Sequence, residues 1–323
     1  MATSYAYASG SVRAHETGLL TLQDMEQLLA VRDAGRLSAE LRDKGYGQEG
    51  ADTDSLLREE SAKTWAYLRE IAPDFSLFSP FLYRFDYHNL KAILKGVLRG
   101  RPYEAILLEP ATVAVSLLET AVKERRFSLL PAHMAAAGEE AYQLLAHTGD
   151  TQRSDAVLDR AALRTMLEAA EEKKVPLLTA LFRHLVFYAD VKTALRAART
   201  HKGKDFLDLA ICGVPGTDVA GLKRAAIEGT DELTAFLEQK DCLGSRQAME
   251  QLDRSPSAFE KWVDDRLLDI ARQGKRVTMG PEPLIGYLVA KEAEIKTMHI
   301  LLSGLRAGQG EDSIRERLRE LYG

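Results

Sequence analysis

The chain has 323 residues, 46% of them hydrophobic and 28% charged, a balance that supports a buried core and excludes a disordered tail. Lys and Arg number 43 against 48 Asp and Glu, for a net charge of −5. That argues against a dedicated nucleic-acid binder, which carries a basic excess. The two cysteines, Cys212 and Cys242, exclude a disulfide scaffold and a cysteine-built zinc site.

In chain order, the first ten residues lack a basic start followed by an apolar stretch, so no secretory signal is expected. Ten sparse prolines separate long stretches rich in Ala, Leu, Glu, Lys and Arg, the good helix formers. Amphipathic periodicity predicts helices over 56–71, 158–172 and 259–273. After Pro283, residues Leu284, Leu288, Ile295, Met298, Leu302 and Leu305 form one helical stripe, with Glu292, Lys296, His299 and Ser303 off it. Alternating β-branched runs are scarce, so the fold class is all-α. The longest apolar runs, such as 284–290, are far shorter than the roughly 20 residues of a membrane span. The chain is therefore expected to be intracellular, with a peripheral place at a membrane left open.

A short pattern recurs three times. A residue with a side-chain oxygen, then an aliphatic residue, then Lys occurs as Asn89-Leu90-Lys91, Asp190-Val191-Lys192 and Glu294-Ile295-Lys296. The copies begin at positions 89, 190 and 294, at nearly equal intervals, as repeats do. Pro80, Pro176 and Pro283 precede them. A basic, glycine-containing loop follows each copy, holding Arg99 and Arg101, then Lys202 and Lys204, then Arg306. Acidic or capping residues then open a further apolar segment. Each unit thus reads helix, proline turn, helix, basic loop, helix. The offset from the third copy to the C-terminus places the joints so that the units are 1–118, 119–219 and 220–323.

Helix geometry puts Phe85, Asn89, Ala92 and Gly96 on one face. Asn89, Asp190 and Glu294 should point into packed surface, where each needs a hydrogen-bond partner. The expected partner is a loop backbone or an Arg of the same unit. Lys91, Lys192 and Lys296 lie about 200° further round, facing solvent or a partner.

Motifs for chemistry are missing. No zinc-protease, nucleophile-elbow or phosphate-loop signature occurs. Gly308-Gln309-Gly310 follows a helix and lacks the last glycine of a dinucleotide loop. No two of the seven histidines are three or four residues apart, so no helical metal pair exists. Adjacent carboxylates such as Glu139-Glu140 do not face each other on a helix. The basic stretch 196–204 lacks the interleaved aromatics that bind single strands. The expectation is no catalytic residue, no cofactor and no metal. From these residues alone, a helical-repeat adaptor and an all-α enzyme with an unrecognised pocket remain open alternatives.

Three stretches go further: residues 5–14 (YAYASGSVRA), residues 86–95 (DYHNLKAILK) with 100–103 (GRPY), and residues 290–296 (AKEAEIK) with the ending 314–322 (IRERLRELY). Together they resemble the C-subunit family of bacterial and archaeal V-type (A-type) ATPases, relatives of the eukaryotic d subunit. The resemblance covers essentially the whole chain but gives nothing over 132–160. It implies three similar helical domains arranged as a pseudo-threefold funnel. It also implies a non-catalytic rotor component, peripheral at the cytoplasmic face of the membrane. Such a component joins the central stalk of the soluble ATPase sector to the membrane proteolipid ring and transmits torque for ion transport. Arg99, Arg101, Lys202, Lys204 and Arg306 are the candidate partner interface.

Overall fold

A computed structural model describes residues 4–47 and 52–323; residues 1–3 of the N-terminal stretch discussed above lie outside them. Among the described residues there are sixteen α-helices and no strand. Helices α1 (Tyr5–Glu16), α2 (Leu22–Leu29), α3 (Ala34–Asp43) and α4 (Thr53–Ile71) precede α5 (Ser79–Arg99). Then α6 (Val115–Lys123), α7 (Ala132–Thr148) and α8 (Thr151–Glu172) lead to α9 (Pro176–Arg199). The short α10 (Lys204–Ala210), α11 (Val219–Glu228), α12 (Thr230–Lys240) and α13 (Ser245–Arg254) follow. Last come α14 (Pro256–Arg272), α15 (Glu282–Arg306) and α16 (Glu311–Arg315).

The three predicted amphipathic helices are the later parts of α4, α8 and α14. Each begins a few residues earlier than its apolar periodicity, because the capping side chain lies upstream. Asp52, Asp150 and Ser255 accept from the backbone N–H of Ser55, Arg153 and Ala258, which satisfies one orphan donor of the first turn. The long α5, α9 and α15 each carry proline in the first turn, where its missing N–H costs nothing.

The same three helices end alike. The N–H of Arg101 donates to Gly96 O at 2.9 Å, that of Lys202 to Ala197 O at 2.9 Å, and that of Gln309 to Gly304 O at 3.0 Å. This six-to-one closure needs a left-handed residue before the donor. Gly100 (φ +61°), His201 (φ +51°) and Gly308 (φ +65°) supply it. The second loop therefore turns on His201, not on Gly203. The apolar segment after the loop becomes α10 and α16 in two copies but only a 3-10 turn, Glu104–Ile106, in the first. Pro102 and Pro110 bracket that turn and keep it short.

Packing divides the chain into two compact units, Met1–Phe75 with Glu250–Gly323, and Ser76–Met249. The first is built from both ends of the chain. Leu28, Leu37, Leu41 and Leu56 of the N-terminal helices share one core with Met298, Leu301, Leu302, Ile314 and Leu318. The α1 side chain of Arg13 donates to the carbonyls of Gly274, Lys275 and Val277 at 2.8–3.2 Å. In the second unit α8 packs along α5, α7 and α9. Leu90, Ile93 and Leu178 are fully buried there, and the Phe81 and Phe182 rings meet edge to face at 4.9 Å.

Within that second unit Gly96 lets the loop lie against α5: a Cβ there would sit 2.1 Å from the Tyr103 ring and 2.9 Å from Arg101 O. Gly96→Ala should therefore destabilise this unit by about 1–3 kcal/mol through overpacking. Gly100→Ala, left-handed but in open space, should cost only about 1–2 kcal/mol. Denaturant midpoints of the two variants, read together with hydrogen exchange at the Arg101 amide, check both. Only Gly96→Ala should displace the loop.

Candidate functional site

The three oxygen-bearing residues are all buried, at 0% exposure for Asn89, 2% for Asp190 and 3% for Glu294. Asn89 on α5 holds both backbone groups of Leu108: its Nδ2 donates to the carbonyl at 2.9 Å and its Oδ1 accepts from the N–H at 2.8 Å. Asp190 on α9 accepts from the N–H of Cys212 at 2.8 Å and of Gly213 at 2.7 Å. Leu108 and Cys212 stand two residues after the end of the respective short helical segments, so these are equivalent contacts. Each clamps the segment that follows the basic loop.

Glu294 on α15 also accepts from a backbone N–H, at 2.7 Å, but the donor is Leu20. The expected partner within 220–323 is thus replaced by the N-terminal segment. The C-terminal tail is engaged elsewhere. Lys275 donates to Tyr322 O at 2.6 Å, and Arg319 pairs with Asp264 at 2.6 Å. The stretch between α1 and α2 fills the vacated place.

Most of the chemistry around Glu294 was not legible in the sequence. Lys291, one turn earlier and 3% exposed, pairs with Glu294 at 2.6 Å and with Glu60 of α4 at 2.7 Å. Tyr46 donates its hydroxyl to Glu294, and its ring lies 4.8 Å from the Lys291 ammonium. Burial alone would lower the Lys291 pKa, but Glu294 and Glu60 overcome it and hold it above the usual lysine value. Burial, then the Glu294 charge, pushes the Tyr46 phenol well up. The corresponding position one turn before Asn89 is Asp86, fully buried, which accepts from the N–H of Thr112 at 2.7 Å and of Val113 at 3.0 Å. Before Asp190 it is Phe187. The i−3 spacing is the signal that could have found Lys291, but the three copies carry different residues there, so it forms no part of the repeat.

The lysines of the repeat turn away from these clamps. Lys91 pairs with Asp159 of α8, and Lys296 with Asp264 of α14 at 2.6 Å; Lys192 is exposed. Of the basic loops, Lys202 lies 5.5 Å from the Phe206 ring, and Lys204 pairs with Asp208. Both line an open cleft of about 400 Å³ within the second unit, together with Arg153. Arg99 donates to the hydroxyl of Thr151, next to the cleft residues Asp150 and Gln152. Arg101 is exposed on the adjoining loop. Arg306 belongs to the first unit and pairs with Asp54 at 2.6 Å.

No group of three or more His, Cys, Asp and Glu side chains disposed to hold a metal ion gathers among the described residues. Both cysteines are half-buried, and burial pushes the Cys212 thiol up to about 12, which leaves it unreactive near neutrality. No helix among the described residues is long and apolar enough to cross a membrane.

The clamps can be tested one atom at a time. Asn89→Asp keeps the acceptor but turns a lone pair toward Leu108 O, so it should destabilise the second unit by about 1–3 kcal/mol, like Asn89→Ala. Equal stability of Asn89→Asp and wild type in urea titrations would refute the two-way clamp. For Asp190, burial outweighs its two N–H donors and raises its pKa from 3.8 to about 6. The folded state then holds a proton that the unfolded state releases. Its contribution to stability is present below pH 3.8 and is lost as pH rises to about 6. Thermal unfolding of Asp190→Asn across that window should lack this fall.

Residues 8–317 match the profile of the family described as ATP synthase (C/AC39) subunit. The C subunit of the V-type sodium ATPase of Enterococcus hirae is 22% identical, over 96% of this chain and 97% of that protein. The C subunit of the A-type ATP synthase of Methanothermobacter thermautotrophicus is 25% identical, over 97% of this chain and 87% of that protein. The protein of the same name from Haloferax volcanii is 24% identical, over 97% and 96%. With the family profile running nearly from end to end of the sequence, the chain belongs to the ATP synthase (C/AC39) subunit family.

Proposed function

We propose that the chain is the non-catalytic socket of a V- or A-type rotary ATPase. In this reading it seats the foot of the central stalk, docks on the membrane proteolipid ring from the cytoplasmic face, and carries torque between them. The observation that carries the proposal is the family match over 8–317, joined to relatives of nearly equal extent named as C subunits. The division into 1–118, 119–219 and 220–323, set as a pseudo-threefold funnel, is part of the proposal. The recurrence of proline start, buried clamp and six-to-one closure at α5, α9 and α15 supports it.

Torque transfer asks for bodies that do not shear and for contacts that tolerate mismatch. Packed clamps meet the first demand. Exposed basic side chains meet the second, because surface ion pairs contribute about 0–1 kcal/mol each and exchange partners at little cost. Arg99, Arg101, Lys202 and Lys204 of the second unit, and Arg306 of the first, are assigned here to contacts with an acidic partner surface.

A tagged chain captured from detergent-solubilised membranes should bring down the proteolipid ring and the stalk proteins. Capture of soluble partners alone would overturn the proposal in favour of an adaptor. Reversing charge at Arg101, Lys202 and Lys204 together should weaken stalk or ring capture with little change in melting temperature. Undiminished capture would remove these loops from the interface.

A further inference from the structure

The first unit contains a cavity of about 530 Å³ that opens beside the Glu294 clamp and is lined in part by Tyr46, Glu60 and Lys291 of that set. Its size is that of a small-ligand site. One wall is aromatic: His15 stacks on Tyr67 with centroids 4.0 Å apart, and Tyr287 stands edge-on to Tyr67 at 5.7 Å. Another wall is Glu60, 7% exposed. Its Oε1 pairs with Lys291, but its buried Oε2 has no hydrogen-bond partner. Lys63 approaches that oxygen only to 3.5 Å, with a side chain 68% exposed to water. An unsatisfied buried carboxylate oxygen is costly, and this one lies in the wall of a space large enough to admit a donor.

The lining carries three lysines and the two carboxylates Glu60 and Glu70, so what matters is which of these groups is already engaged. Its three ammonium groups already have acceptors: Lys44 binds Asp24 at 2.6 Å and Gln27 at 2.9 Å, Lys291 lies between Glu60 and Glu294, and the exposed Lys63 reaches Gly45 O at 3.4 Å and Glu60 Oε2 at 3.5 Å. In the buried cluster two carboxylates, Glu60 and Glu294, face one ammonium, Lys291. Glu70 adds a further carboxylate at the lining. His15 Nδ1 lies 3.0 Å from Ser11 O, so in the neutral ring it donates there and leaves Nε2 an acceptor. Spare acceptors and ring faces together suit a cation that donates N–H bonds.

We propose that this cavity binds a protonated amine or guanidinium on a short apolar stem, its head on Glu60 Oε2 and its stem along Tyr67 and Tyr287. The proposal is independent of the rotor reading. The test is an NMR titration of the full chain with n-butylammonium and n-butylguanidinium, with n-butanesulfonate as the anion of matched stem. The cations should shift the ring resonances of His15, Tyr67 and Tyr287, and the sulfonate should not. Glu60→Gln should weaken cation binding at least tenfold. Glu70→Gln, at an exposed residue that leaves the buried cluster intact, should weaken it about threefold and covers the case in which Glu60→Gln fails to fold. No shift with either cation, equal binding of the sulfonate, or undiminished binding in both variants would overturn the proposal. Where the cations bind, repeating the titration on the assembled ATPase identifies the source of the head group. Retained binding supports a free amine, and exclusion supports a Lys or Arg side chain of a partner.

Discussion

A polar side chain on a helix that is packed on its inner face has to find its hydrogen bonds inside the protein, and loops are where free backbone N–H groups are to be found. That requirement organises both units. Asn89 and Asp190 each draw the segment after a basic loop back onto the helix that precedes it. Glu294 draws in Leu20 instead, and in doing so ties the start of the chain to its last long helix. The loops are pinned from two sides, by these clamps and by the left-handed closures at Gly100, His201 and Gly308.

The most concentrated form of the requirement is the buried set Glu60, Lys291, Glu294 and Tyr46. Replacing such a set by well-packed apolar residues is often neutral or stabilising, whereas removing one member costs about 3–5 kcal/mol. Lys291 joins the two helices by pairing with Glu60 of α4 and with Glu294 on its own α15, in addition to the shared core of Leu56, Leu301 and Leu302. Glu60 Oε2, without a hydrogen-bond partner and with only the exposed Lys63 ammonium 3.5 Å away, is the least engaged oxygen of the set, in contrast to the carboxylate of Asp190, which accepts from two backbone N–H groups.

The surface behaves differently. The basic loops make exposed pairings, such as Lys204 with Asp208 and Arg306 with Asp54, which water and salt screen.

The sequence by itself determined the helical class, the long helices, their proline starts and the three-copy pattern, because periodicity, capping residues and proline act within a turn or two of the chain. It also marked Asn89 as buried through helical spacing, and Asp190 and Glu294 through their matching places in the repeat. It could not say that Glu294 would reach Leu20, or that Lys291 would sit between Glu60 and Glu294. Leu20 and Glu60 are remote from α15 along the chain, and nothing local encodes their approach to it. Tertiary structure decided them: the C-terminal tail is engaged elsewhere, and the N-terminal segment supplies the N–H that a buried carboxylate cannot do without.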